Sequence, residues 1–235
     1  MVCIGIVGAM DQEVSCLIQE MKDVEEKTFS GMTFHRGVLW DIDTVVVKSG
    51  VGKVNIAVCT QLLIDIYEVD LLINTGIAGG LLKGIDIGDI VISSDAVQHD
   101  VDVTMRGFKP GEIPFMETSV FRADPELAAM AMEACQIVNP DIGYYLGRVL
   151  TGDQFICDND KKAELVKTFD GYCVEMEGGA MAQVAALNKV PFVIIRAISD
   201  KADDDAVVLV KEFEKKAIIH TLKLLAAMFI KMKKR

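Results

Sequence analysis

Aromatic residues are scarce in this chain, at 6% of 235 positions, with Trp40 as the one tryptophan. Sites for hexose polymers normally offer aromatic platforms, so the scarcity argues against a long saccharide as ligand. Histidine occurs only at 35, 99 and 220, which disfavours a histidine-based metal centre. The six cysteines (3, 16, 59, 135, 157 and 173) form no C-x-x-C spacing. Several sit in apolar runs such as Ile56-Ala57-Val58-Cys59. They read as small buried hydrophobes in a reducing compartment, not as a disulfide frame or a zinc site. Positive charge is also short: 24 Lys and Arg against 35 Asp and Glu leave a net charge of −11, which disfavours a nucleic-acid partner. The basic tail Lys231–Arg235 reads as a solvated helix end. No run reaches the ~18 apolar residues of a membrane span, and the chain starts without a basic segment followed by a long apolar one. The expectation is a soluble cytoplasmic protein with no membrane partner.

No repeat, low-complexity linker or composition break divides the sequence, so one domain over residues 1–235, with a mostly aliphatic core, is expected. Apolar runs at Val2–Val7, Asp70–Thr75, Tyr144–Thr151, Tyr172–Val174 and Pro191–Ile198 read as strands, with a further strand beginning at Gly88. Helices are expected from Asp11, over Val54–Tyr67, Pro125–Cys135, Asp160–Thr168 and Ala180–Leu187, and from about Ala206 onward. The last carries apolar positions at Val210, Phe213, Ala217, Leu224 and Met228. Met32–Leu39 and Thr44–Val47 read as a hairpin around Asp41-Ile42-Asp43. The fold class is therefore α/β, with a mixed β-sheet. Ser49-Gly50-Val51-Gly52-Lys53 is too short for a Walker phosphate loop. Gly76-Ile77-Ala78-Gly79-Gly80 reads as a glycine-rich turn without dinucleotide spacing. The turn-rich stretch 99–121 is long enough to be functional or to cover a neighbouring subunit.

Three carboxylates, Glu13, Glu177 and Asp200, each follow a separate expected strand. Each could simply match a helix N-terminus electrostatically, or could aim into a cleft at the strand ends. If they converge in a partly dry site, they cannot all ionise easily, so at least one pKa rises. One acid can then donate a proton while another acts as a base near neutral pH. That arrangement suits cleavage of a glycosidic bond through an oxocarbenium-like transition state. A small glycoside such as a nucleoside fits the aromatic scarcity, with Phe155 available to stack on a base. Clustered acids could instead hold Mg²⁺, although no D-x-D spacing supports this.

Four segments carry a resemblance when taken in order: Gly8-Ala9-Met10 with Glu13, Asn74-Thr75-Gly76 with Ala78-Gly79, Val174-Glu175-Met176-Glu177, and Arg196-Ala197-Ile198-Ser199-Asp200. Together they resemble the bacterial 5'-methylthioadenosine/S-adenosylhomocysteine nucleosidases of the purine nucleoside phosphorylase-like superfamily, in register from about residue 2 to 215. The resemblance implies a twisted mixed sheet flanked by helices, and a homodimer in which the 99–121 loop lies near the partner's site. It implies irreversible hydrolysis of the N-glycosidic bond of 5'-methylthioadenosine, S-adenosylhomocysteine or 5'-deoxyadenosine, in methionine salvage and by-product removal, without metal or organic cofactor. By the same resemblance, Asp200 would protonate adenine N7 and Glu13 would orient and deprotonate the attacking water. Glu177 would hold the ribose hydroxyls beside the Met176 backbone. Phe155 would stack on adenine, whose edge the Ile156 backbone would pair. Ser199 would place Asp200, and Arg196 would order water around Glu13. Met10, Val51, Gly79 and Pro114 complete the implied substrate-binding set.

Superfamily phosphorylases carry an arginine for phosphate just after the first strand. Met10-Asp11-Gln12-Glu13 is acidic there, which favours water over phosphate as nucleophile; the alternatives are an aminofutalosine nucleosidase of menaquinone synthesis and a purine nucleoside phosphorylase. This chain departs from the family pattern at Ile77, Arg106 and Val210. Arg106, reaching across a dimer interface, would favour a carboxylate-bearing 5' group, such as that of S-adenosylhomocysteine or aminofutalosine.

Overall fold

The computed structural model describes residues 2–203 and 206–233; along 206–217 only the backbone course is described. Strand β1 (Cys3–Gly8) leads into α1 (Asp11–Glu20), followed by three strands β2 (Lys22–Phe29), β3 (Met32–Leu39) and β4 (Ile42–Lys48). Helix α2 (Lys53–Tyr67) precedes β5 (Leu71–Gly80) and β6 (Ile90–Gln98). After the irregular stretch come β7 (Phe121–Arg122), α3 (Pro125–Val138), β8 (Tyr144–Thr151) and α4 (Asn159–Phe169). The chain ends with β9 (Cys173–Glu175), α5 (Gly178–Asn188), β10 (Phe192–Asp200) and α6 (Ala206–Met232). No helix among the described residues is long and apolar enough to cross a membrane.

The strands form one mixed sheet in the order β10-β6-β8-β9-β5-β1-β4-β3-β2, with β7 beside β6. Its far end closes on itself, because β5 pairs with both β9 and β10. Parallel β1, β5 and β10 form its centre. Period-2 alternation sorts their side chains onto two covered faces. Cys3, Val7, Leu72, Phe192 and Ile194 face a core shared with Ile56, Cys59 and Leu63 of α2 and Ala182 and Ala185 of α5. Ile4, Ile6, Ile73, Val193 and Ile195 face the opposite core with Val14 and Leu17 of α1, Leu127 and Ala131 of α3, and Leu224 and Met228 of α6. Val210, Phe213 and Ala217, expected on the same apolar face of α6, lie outside the described side chains.

Four local features differ from the sequence reading. Strand β2 has no apolar alternation: its sequence KDVEEKTF is solvent-exposed nearly throughout, as suits a charged edge strand that discourages pairing with another sheet. The following hairpin turns at Trp40 and Asp41, both at positive φ (45° and 65°), slightly earlier than expected. Four of the cysteines are buried, but Cys16 is only half-buried and Cys157 is exposed. The largest change is at Gly76–Gly80, which is the continuation of strand β5 and not a turn. Its glycines make room instead: a Cβ on Gly76 would stand 2.6 Å from Glu13 Oε1 and 2.8 Å from Arg196 Nη1, and one on Gly79 would stand 2.9 Å from Asp200 Oδ1.

An alanine is ordinarily better than glycine in a strand. Gly76→Ala is expected to do the opposite and lower unfolding stability by about 1–3 kcal/mol, the cost of overpacking. Urea denaturation of the two proteins measures this, and a gain in stability would mean that the carboxylate and guanidinium shift freely.

Candidate active site

Each candidate acid is delivered by a different device. Glu13 lies in the first turn of α1. Its Oε2 accepts from the backbone N–H groups of Ala9 (2.7 Å) and Met10 (2.9 Å), and its Oε1 accepts from Ile77 N–H of β5 (3.1 Å). Both meanings open in the sequence are therefore realised at once: Glu13 answers its own helix N-terminus and also reaches across to the glycine end of β5. Burial pushes its carboxyl up, against the opposing pull of Arg196 and the three amides.

Asp200 ends β10, which runs parallel to β5 with Asp200 opposite Gly79. Its Oδ2 accepts from the Ser199 hydroxyl (2.8 Å) and its Oδ1 from Ala202 N–H (2.8 Å). Burial raises this carboxyl too, beyond what those two donors take back. Glu177 arrives from the opposite direction. Strand β9 is antiparallel to β5, with Val174 opposite Gly79 and Cys173 opposite Gly80, so the chain after Glu175 returns over the glycine end of β5. Gly79 is thus flanked by Asp200 on one side and, on the other, by Val174, which leads directly into Glu175–Glu177.

The two glutamates of Val174-Glu175-Met176-Glu177 divide their work. Glu175, which sequence reasoning left without a role, answers the α5 N-terminus: it accepts from Gly178 N–H (2.7 Å) and Glu177 N–H (3.1 Å). It also accepts from the Thr151 hydroxyl and pairs with Arg196, with both side chains 2% exposed. Arg196 donates further to Asn74 Oδ1 (2.5 Å). Its Nη1 has no hydrogen-bond partner among the described residues and faces Glu13 across Gly76. Glu177 is left free of helix capping and accepts from Gly52 N–H of the glycine turn before α2 (2.8 Å). Burial first, then the neighbouring Glu175, push Glu177 up to about 7.

The structure therefore brings Glu13, Glu177, Arg196, Ser199, Asp200 and Gly79 together around the end of β5. Val51, next to Gly52, and Phe155 are about half exposed, whereas Ile156 is buried among Leu81, Leu150 and Val174. Met10 and Met176 are half-buried. Pro114 and Arg106 are not part of this cluster. They belong to the 99–121 loop, whose inner side packs Gly111 against Phe169 and Met116 against Gln183, while Arg106 is exposed. Glu175, Thr151 and Asn74 were missed, yet a signal was present. An arginine inside the apolar run Phe192–Ile198 occupies a core position, and a core arginine requires a buried carboxylate.

A mixed sheet closed at one end, with acids gathered over a glycine-lined strand end, defines the class: a sequence model of the phosphorylase superfamily matches residues 3–230. The chain is 40% identical over 225 residues to a 5'-methylthioadenosine/S-adenosylhomocysteine nucleosidase of Exiguobacterium sp., covering 95% of this chain and 96% of that one. Among solved structures, the nucleosidase of the same name from Colwellia psychrerythraea, in complex with adenine, superposes with a TM-score of 0.93 at 36% identity, covering 97% of this chain and 94% of that one. The futalosine hydrolase of Helicobacter pylori superposes at 0.92 with 32% identity, covering 98% of each. The chain belongs to the 5'-methylthioadenosine/S-adenosylhomocysteine nucleosidase family of the phosphorylase superfamily.

The raised Glu177 carboxyl has a consequence for stability. Its folded-state pKa of about 7 stands above the ordinary 4.5. The native state then binds the extra proton between those values, and stability falls as pH rises through that window, by on the order of 3 kcal/mol. Glu177→Gln, which cannot ionise and keeps an acceptor for Gly52, is expected to stabilise the protein by about 1–3 kcal/mol at pH 8 and by less than about 1 kcal/mol at pH 4.5. Thermal melts at the two pH values test this. An equal effect at both would show that Glu177 carries no excess proton.

Proposed function

We propose that the protein hydrolyses the N-glycosidic bond of 5'-modified adenosines, releasing adenine and the free 5'-modified ribose. The observation that carries the reading is the convergence of Glu13, Glu177 and Asp200 on one glycine-lined strand end, with the acids in different electrostatic surroundings. Burial raises Glu13, but it lies within the field of Arg196, which pulls it back toward its ionised form. Asp200 is raised mainly by burial, and the neighbouring charges acting on it are Asp203, which raises it, and Lys162, which lowers it. This supports Asp200 as proton donor and Glu13 as base. In that scheme the Asp200 proton passes to adenine N7 as the C1'–N9 bond breaks, so the base leaves neutral. The sugar passes through an oxocarbenium-like state, and Glu13 takes a proton from the water whose oxygen bonds to C1'. Glu177 accepts hydrogen bonds from the ribose hydroxyls, Phe155 stacks on the purine, and the Ile156 backbone pairs with its edge. The acidic first turn of α1, with Asp11 and Glu13, repels phosphate and supports hydrolysis over phosphorolysis.

Glu13→Gln and Asp200→Asn are each expected to lower kcat by about 10²-fold or more, the scale of lost acid–base catalysis. The assay is adenine release from 5'-methylthioadenosine, S-adenosylhomocysteine, 5'-deoxyadenosine and aminofutalosine, with and without phosphate. Turnover only with phosphate would indicate a phosphorylase. Near-normal turnover in either variant would remove that residue from the chemistry. A second reading, preference for carboxylate-bearing substrates, rests on the exposed Arg106 reaching the site of a second subunit across the dimer interface proposed below. It predicts that Arg106→Ala lowers kcat/KM for S-adenosylhomocysteine and aminofutalosine relative to 5'-methylthioadenosine, and an unchanged ratio would reject it.

A homodimer is the assembly this surface supports. Val54, Val58 and Ile66 of α2 and Leu187 of α5 are exposed, as are Met105 and Phe115 of the 99–121 loop, and α2 packs on α5. Scattered exposed apolar residues are ordinary, whereas a patch shared by neighbouring elements marks an interface. Sedimentation equilibrium is expected to give twice the chain mass of 25.7 kDa, and a monomer mass at micromolar concentration would reject the assembly.

A further inference from the structure

Helix α2 begins poorly on its own account. Its first turn holds no acidic residue, and its N-cap, Gly52, has no side chain to offer. Its first residue is a lysine, Lys53, where the helix dipole disfavours a cation. Both deficits are met by distant segments. Lys53 N–H donates to Asp153 Oδ1 (2.8 Å), so a carboxylate 100 residues away does the work of the cap. The Lys53 ammonium donates to Asp100 Oδ1 (2.7 Å), and Asp100 Oδ2 accepts from Asp153 N–H (2.9 Å). Those three bonds close a ring through Lys53, Asp100 and Asp153. The ion pair within it is largely shielded, with side chains 20% and 13% exposed. The backbone fits the ring closely: Gly52 has φ 97°, and a Cβ there would stand 3.1 Å from Asp153 Oδ1.

Each member of the ring controls one wall of the site. Lys53 follows Gly52, whose N–H holds Glu177. Asp100 lies just beyond the end of β6. Asp153 opens the segment leading to Phe155 and Ile156. Ile156 is buried, but Asp153, Gln154 and Phe155 are all exposed, so the Phe155 ring has little packing of its own to fix it. We propose that Asp100 is a positioning residue. It docks the Phe155 segment on the N-terminus of α2 while keeping Gly52 on Glu177, and so sets affinity for the purine and ribose, not the rate of bond cleavage. The assignment to substrate affinity rests on the nucleosidase reading above.

Asp100→Asn preserves shape but leaves one oxygen to serve two donors. It is expected to raise KM for 5'-methylthioadenosine about tenfold or more with kcat within about threefold of the parent, the signature of lost binding that is equal in ground and transition states. Amide hydrogen exchange in peptides spanning 152–156 is expected to quicken about tenfold or more, reporting local opening. Lys53→Gln, which breaks the same ring from its other side, gives the same pattern, and the double variant is no worse than the poorer single one. Unchanged KM and exchange in both variants, a loss confined to kcat, or additive effects in the double variant would each overturn the assignment. If the parent protein released no adenine, the nucleosidase reading would fail by itself, and the exchange measurement would still decide whether Asp100 holds the segment.

Discussion

A guanidinium that is 2% exposed keeps its charge in an aliphatic interior only if a carboxylate lies against it and its remaining donors find acceptors. Arg196 stands in the row of β10 that also carries Phe192 and Ile194, on the face covered by α2 and α5. Its partner Glu175 binds at the same time the Thr151 hydroxyl of β8 and the first amides of α5, while Arg196 reaches Asn74 of β5. One buried ion pair therefore joins four strands and a helix at the place where the sheet closes on itself. Removing one partner of such a pair typically costs about 3–5 kcal/mol, because the other charge is left buried and unpaired. The candidate site depends on it geometrically, since Glu177 follows Glu175 by two residues and Glu13 faces Arg196 across Gly76.

The same pair sets the electrostatics. A single guanidinium serves Glu175 directly, and its field reaches Glu13 and Glu177 as well. It cannot neutralise all three, so burial dominates at Glu13 and at Glu177, and both carboxyls rise. Asp200 answers to a different set: burial first, then Ser199 and the Ala202 amide, with Asp203 and Lys162 as its neighbouring charges. The acids thus fall into a group coupled to Arg196 and one acid, Asp200, with different charged neighbours, which is the kind of separation that acid–base chemistry near neutral pH requires.

Helix N-termini recur throughout the site. Glu13 answers α1, Glu175 answers α5, and Asp153 answers α2, while Glu177 takes the amide of Gly52 beside it. An acid at a helix start is often read as mere dipole matching. Here the amides hold carboxylates in fixed orientations inside a cleft, so electrostatic capping and site construction are one interaction. Exposed backbone N–H groups are rigid donors, and a carboxylate fixed by two or three of them loses little further freedom when it meets a ligand.

Much of this architecture was legible in the sequence, because it depends on local chemistry. Apolar runs with turn residues between them marked most of the strands and helices, and the acids Glu13, Glu177 and Asp200 announced themselves by following strands. Motif order carried the family. Strand β2 escaped because an exposed, charged edge strand has no hydrophobic period to read. The extension of β5 through Gly76–Gly80 escaped because glycine signals backbone freedom and close approach alike, and only the neighbours distinguish them. Pairings between residues far apart were decided by tertiary structure alone: Glu175 with Arg196, Gly52 with Glu177, and Lys53 with Asp100 and Asp153. Such contacts arise from strand register and sheet closure, which bring together groups separated by tens of residues and leave no local periodicity in the chain.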